Sequence, residues 1–239
     1  MKQAPRTAVT LRLISAGGFK AAMEALVQRF EADTGYRSTV VVGTPADTRR
    51  LMGGGTPFDV AVVTSHTLTD AVAASIDPAT RFSIARSPAG MGVRETLDAP
   101  AIVSEASFRA AIYAVGSIAL SDPRAGTNMA NVILDAVAGI GLRPAIEAKA
   151  RYLMGPGFVV ARRVADGEAD AVMTLATEIR AVPGIRYLGA LPESLGIGTV
   201  FDAAIANAAG DIEAAQAFIA FLRTPEAGAL MRATGLATL

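Results

Sequence analysis

The sequence predicts an α/β fold in which mostly parallel sheets are covered by helices, and three observations lead there. Strand-length apolar runs at Val9–Ser15, Arg37–Val42 and Phe58–Thr64 alternate with helical patterns at Phe19–Asp33 and around Arg49–Met52. The first and third runs turn almost continuously apolar, as strands buried on both faces do. A strand, a small polar turn and a helix start then recur at Ser121–Gly141 (SDPRAGTNMANVILDAVAGIG), behind the apolar stretch Val115–Leu120. That arrangement leaves backbone N–H groups without partners at a helix N-terminus, where the dipole favours negative charge.

In chain order, Ala16-Gly17-Gly18 is a tight turn into a helix whose apolar positions Phe19, Ala22, Met23, Leu26, Val27 and Phe30 keep three-to-four spacing. Gly35 suits its left-handed cap. Gly43-Thr44-Pro45-Ala46-Asp47 turns into a short helix that Gly53-Gly54-Gly55 must break. Ser65-His66 leads to a helix at Thr67–Ala74, and Arg81–Val93 is an extended passage punctuated by Pro88, Gly90 and Gly92. Helices follow at Ser104–Ala111, from Thr127, at Ala145–Tyr152 and at Phe158–Asp166, with strands at Asp170–Thr174 and Ile185–Leu188. Leu191–Ile205 reads as a Gly- and Pro-containing return passage before the helices Asp211–Leu222 and Pro225–Thr234. Pro225 opens the second of these, where proline is tolerated.

Composition narrows the function. The 239 residues suffice for one large or two small domains, and 51% are hydrophobic, enough for a core without covalent staples. With 22 basic and 22 acidic residues, no basic stripe and 5% aromatics, nucleic acid is a poor partner. There is no cysteine, hence no disulfide or thiolate chemistry, and the single histidine, His66, excludes a histidine-rich metal cluster. No metal and no cofactor is expected. No apolar run approaches the ~20 residues of a membrane span. The opening MKQAPRTAV has no apolar signal core, so a cytoplasmic protein and an exported one lacking its signal would read alike.

Several segments, in order, resemble the bacterial solute-binding proteins of the type II periplasmic fold, above all their molybdate-binding branch. They are SAGGFKAAMEALVQRFEADTGY, the strand entry GGGTPFDVAVVTS, the Asp-Pro turn SDPRAGTNMANVIL, the run VVARRVADGEADAVMTLATE, and the C-terminal helix pair AAQAFIAFLRTPEAGALMRATGL. The resemblance implies two α/β lobes, each a mostly parallel sheet flanked by helices, with a ligand cleft between them. Lobe I would be residues 8–82 plus 195–239 and lobe II residues 86–190, with crossings near 83–92 and 191–199. It further implies a small anion held by hydroxyls and backbone N–H groups at helix starts. Carried onto this chain, the ligand-binding residues are Ala16, Gly17, Gly18, Thr44, Arg124, Thr127, Asn128, Phe158, Val159 and Leu175.

The chain departs from the molybdate binders where they grip their ion. Gly18 stands where they carry serine, Gly43-Thr44-Pro45-Ala46 replaces a run of serines, and Leu175 replaces a tyrosine. Pro45 has no N–H to donate. Two glycines also leave room for a ligand larger than a bare oxyanion. The expected function is capture of an oxyanion or carboxylate for ABC-type import, by a monomer that meets a membrane permease and works in the periplasm or outside the cell. An alternative is an isomerase of a small di- or tricarboxylic acid, resembling aconitate isomerase, with Arg124, Lys20 and Arg49 or Arg50 as clamps and His66 as base. A third is a cytoplasmic ligand-sensing domain. Asp59, Asp122 and Glu178, at strand and turn boundaries, read as caps and turn acceptors.

Overall fold

The structure, a computed structural model, describes residues 10–68 and 70–239. The opening stretch and Val9, expected to start the first strand, lie outside the described residues, as does Thr69. The chain forms two compact units, one running to Arg86 and resuming at Val200–Leu239, the other Ser87–Thr199.

In the first unit, β1 (Thr10–Ala16) leads through a single helical turn, Gly17–Phe19, into α1 (Lys20–Thr34), which Gly35 ends at φ 76°. Next come β2 (Arg37–Gly43), α2 (Pro45–Gly53), β3 (Val60–Thr64) and α3 (Asp70–Ala73). β4 (Phe82–Arg94) then carries the chain into the second unit, and β9 (Gly198–Ile205) brings it back. α9 (Ile212–Leu222), α10 (Pro225–Ala233) and β10 (Ala237–Thr238) complete the first unit. Its sheet runs β2-β1-β3-β9, with β1 parallel to both neighbours and β9 antiparallel to β3. Phe30 of α1 meets Phe218 of α9 edge-on at 5.0 Å, so α1 and α9 share one face of the unit.

The second unit repeats that order. α4 (Glu105–Ala114), β5 (Ile118–Ser121), α5 (Met129–Ala138), α6 (Arg143–Glu147), β6 (Ala150–Leu153), α7 (Gly157–Ala165), β7 (Ala171–Leu175), α8 (Ala176–Arg180) and β8 (Ile185–Ala190) follow β4. β5 lies parallel to β6 and β7, and β4 lies antiparallel to β7 and β8. Ile118 and Leu120 point into a core with Phe108, Ile112, Ile133 and Val137, whereas Ala119 between them faces Val160 and Val164. Ala171 and Met173 share the first core and Val172 the second. Successive side chains on opposite faces, both buried, are the reason these strands read as unbroken apolar runs.

Three expectations need correction. The helix expected over Ala145–Tyr152 is the short α6 followed by a strand, β6, in parallel register with β5 from Ile118↔Ala150 to Ser121↔Leu153. β6 is an edge strand with Arg151 and Tyr152 exposed, so it lacks the apolar run that marks a buried strand. Pairing with β5 overrides its helical pattern. The irregular passage Leu191–Ile205 contains β9, disguised by Pro192 and Gly196 upstream. The helix expected near Thr127 begins at Met129 with Asn128 in the N-cap position, as its sequence suggests. That expected at Thr67–Ala74 divides into a turn, Ser65–Thr67, and the four-residue α3. Among the described residues no helix is long and apolar enough to cross a membrane.

Two buried carboxylates tie the first unit together. Asp59 accepts the Arg12 N–H at 2.7 Å, Arg12 Nε and Nη2 at 3.0 and 2.6 Å, and the Gly210 N–H at 2.7 Å. Asp202, 3% exposed, accepts the hydroxyls of Ser65 and Ser83 at 2.6 and 2.8 Å and pairs with Arg81 at 2.6 Å. Burial opposes the charge on both, but these bonds outweigh it and hold both pKa values below the ordinary 3.8. Their stabilisation is therefore complete above that value and is lost as pH falls through the lowered folded values. Asp202→Ala should cost about 3 kcal/mol, the low end for a broken buried pair because Arg81 stays partly solvated. Urea unfolding from pH 7 down to about 3 should show stability falling steeply below about pH 4 and less steeply in Asp202→Asn. Equal slopes in both proteins would remove Asp202 from the acid response.

Candidate functional site

Parallel strands end on a common edge. In the first unit Ala16 pairs with Gly43 and Ser15 with Val62, so the turns after β1, β2 and β3 lie side by side. That edge is where α/β sheets bind ligands, because helix starts and their free N–H groups gather there. At the first turn Gly18 and Phe19 are buried, Ala16 is buried at the strand end, Gly17 is half-exposed, and Phe19 packs 5.5 Å from Phe201. Lys20 forms an ion pair with Glu24 at 2.6 Å, one turn along α1. At the second turn Thr44 caps α2. Its hydroxyl donates to Asp47 at 2.8 Å and accepts the Asp47 N–H at 3.2 Å, and its own N–H donates to Asp47 at 3.2 Å. Arg50 joins the same carboxylate at 3.2 Å. Thr44, the one hydroxyl the sequence offered in place of the serine run, thus serves the helix cap.

The third turn carries the histidine. Thr64 shares a hydrogen bond with Thr67 at 2.7 Å and one with His66 Nε2 at 3.3 Å. The residue reaches solvent, yet partial desolvation of its ring, and then the charge of Arg49, lower its pKa from the ordinary 6.5. His66 is therefore neutral at pH 7, the state a base requires.

In the second unit Ser121 pairs with Leu153 and Ala119 with Val172, so the turns after β5, β6 and β7 again share an edge. Asp122 accepts the Arg124 N–H at 2.8 Å and its guanidinium at 2.6 Å, which leaves Arg124 83% exposed and its charge matched within the turn. The Arg124 bonds hold the Asp122 pKa below its ordinary value. Gly126, at φ 81°, ends this turn in the left-handed region where a side chain would be strained. Thr127 and Asn128 then precede α5. Asn128 makes no side-chain cap bond, and among the described residues the N–H groups of Thr127 and Asn128 have no acceptor.

At α7 an acceptor from within the chain is already present. The Glu178 carboxyl accepts the Thr174 hydroxyl at 2.6 Å and the N–H groups of Gly157, Phe158 and Leu175. The Leu175 bond completes the cap of α8, and the other two occupy the start of α7. Val159 donates to Pro156 O at 2.9 Å, so none of the three amides expected to hold a ligand at this turn is idle. Glu178 was legible as a cap, but its reach to a second helix was not, because only folding brings α7 beside α8. Burial raises the Glu178 pKa above 4.5 despite the four donors. Its contribution to stability is present below that value and lost as pH rises through the folded one, opposite in sign to the aspartates. Among the described residues no cluster of histidine and carboxylate side chains could hold a metal ion.

Glu178→Ala would leave three N–H groups and a hydroxyl without their acceptor, a cost on the order of 3 kcal/mol or more. Gly157→Ala should also destabilise, since a Cβ there would overlap the Glu178 carboxyl and Thr174 Oγ1. Thermal unfolding of both variants checks this, and parental stability in either would separate Glu178 from the α7 start.

Three comparisons place the chain among known proteins. It is 25% identical over 239 residues to an aconitate isomerase from a Pseudomonas species, covering 98% of this chain and 89% of that protein. The periplasmic molybdate-binding protein of Azotobacter vinelandii superimposes with a TM-score of 0.75 at 18% identity, covering 95% of this chain and 98% of the other. The sulfate-binding protein SubI of Mycobacterium tuberculosis gives 0.73 at 18% identity, covering 95% and 86%. The α/β architecture expected from the sequence is thus that of the periplasmic binding proteins. The model of the bacterial extracellular solute-binding proteins matches residues 11–237, and the chain belongs to that family.

Proposed function

We propose that this protein captures a small anion, at the strand-end turns described above, for delivery to an ABC-type importer outside the cytoplasm. The observation that carries the reading is the pair of amides at Thr127 and Asn128, at the end of β5 and the start of the ten-residue α5. Two adjacent N–H groups at a helix start form a site for negative charge. Arg124 lies in the turn just before them and adds a cation whose present partner is Asp122. In the same unit Leu175, at the end of β7, lies on this edge as an apolar neighbour, and in the first unit the turn Ala16-Gly17-Gly18 stands at that unit's own edge. Phe158 and Val159 enter the proposed site through their side chains, both half-buried, rather than through their amides. The family membership and the molybdate- and sulfate-binding names of the structural relatives support anion capture.

A second reading, an isomerase of a small tricarboxylic acid, is favoured by the aconitate isomerase relative and by a solvent-reaching histidine held neutral. His66 would be the base, with Lys20 of the same unit as a clamp once released from Glu24. Incubation with cis- and trans-aconitate followed by proton NMR decides between the readings: interconversion makes the protein an enzyme, and binding without turnover keeps it a carrier.

Molybdate and tungstate should bind weakly, because Gly18, Pro45 and Leu175 replace gripping groups and Thr44 is spent on Asp47. Calorimetry with molybdate and sulfate checks this, and sub-micromolar molybdate affinity would overturn it.

A further inference from the structure

The half-buried arginines among the described residues are nearly all matched. Of the half-buried ones among the described residues, Arg12, Arg94, Arg143 and Arg163 pair with carboxylates, and Arg109 and Arg186 donate to backbone carbonyls. Arg49 is half-buried and, among the described residues, has neither kind of partner. Its neighbour Arg50 is exposed and bound to Asp47. The Arg49 guanidinium keeps its full charge and its fork of N–H donors open to an arriving anion.

The position of Arg49 says which anion. α2 begins at the ligand-binding edge of the first unit's sheet and packs against the turn Ser65–Thr67, which carries His66. The neutral donors that would surround a tetrahedral ion are reduced at this edge: Gly18 has no hydroxyl, Pro45 no N–H, and Thr44 is committed to Asp47. What remains is a planar fork of N–H donors with a full charge, which matches a carboxylate through two parallel hydrogen bonds. A histidine beside it offers one further donor or acceptor.

We propose that Arg49, with His66 beside it, anchors a carboxylate group of the ligand in the first unit, so that the ligand is a small organic acid rather than a bare oxyanion. The proposal rests on the anion-binding reading and narrows it to a ligand class and a residue. Arg49 acts by direct contact with the ligand carboxylate. His66, which reaches solvent and bonds only Thr64 among the described residues, reports on that contact.

The test titrates citrate, cis-aconitate, malate, sulfate and molybdate into the parent, Arg49→Gln, Arg49→Lys and Arg37→Gln by calorimetry, with a thermal melt of each. Arg37 lies at the far end of β2, at the opposite edge of the sheet, and makes Arg37→Gln a charge-matched control. At least one carboxylate should bind the parent more tightly than sulfate or molybdate. Arg49→Gln should weaken it by about 10- to 100-fold with an unchanged melt, Arg49→Lys should recover part of the loss, and Arg37→Gln should match the parent. Because His66 is the single histidine, its ring resonance should move when the carboxylate binds the parent and stay put in Arg49→Gln. Parental affinity in Arg49→Gln, or equal loss in Arg37→Gln, would overturn the anchor while leaving anion capture standing. Tighter sulfate or molybdate binding would overturn the carboxylate assignment. If no anion binds the parent, the anion-binding reading fails and this proposal with it. Should Arg49→Gln melt early, Arg49→Lys together with the His66 resonance decides the matter.

Discussion

Two parallel strands cannot be joined by a hairpin. Each must be followed by a crossing that returns the chain to the starting edge, and in this protein most of those crossings are helices. That constraint places helix starts on one edge of each unit, and with them backbone N–H groups that the helices cannot satisfy internally. How those groups are satisfied decides what each turn can do. At α2 the answer is Asp47, through Thr44, and at α7 and α8 it is Glu178. At α5 the Met129 N–H meets Thr127 Oγ1 at 3.4 Å, but among the described residues the N–H groups of Thr127 and Asn128 have no acceptor. The unit thus closes two of its helix starts with its own carboxylate and leaves one open.

The side-chain charges follow the same division. Lys20, Arg50 and Arg124, three cations near the strand-end turns, are each held by an acid within four residues. Local pairs of this kind keep a cation at the edge without committing it, since exposed ion pairs are worth little and exchange readily with a ligand. Asp202 and Asp59 differ in kind. They are buried, multiply bonded and remote in sequence from their partners, and they hold the first unit's elements in place. Charge at the turns is thus available to a ligand, and charge in the core is structural.

Much of the fold was legible in the sequence because the central strands are buried on both faces. β1, β3, β5 and β7 announce themselves as apolar runs, and α1, α9 and α10 by three-to-four spacing. β6 was misread because an edge strand with Arg151 and Tyr152 exposed carries no such run, and its pairing with β5 is a long-range fact. β9 was hidden behind its Gly- and Pro-rich approach. For the candidate site, the turns were legible from glycine, proline and cap residues, but the disposition of their donors was not. That Gly157 and Phe158 donate to Glu178 depends on α7 lying beside α8. That Arg49 lacks a partner among the described residues while Arg50 has one depends on which helix face each occupies.

The central claim is that the open amides at the start of α5, and not those of α7, receive the ligand's negative charge. Amide NMR during titration with the tightest-binding anion tests it most directly. The account predicts that the Thr127 and Asn128 amide protons move downfield together as the site fills, while those of Gly157 and Phe158, already held by Glu178, stay in place. Movement of Gly157 and Phe158 with Thr127 and Asn128 unchanged would contradict it.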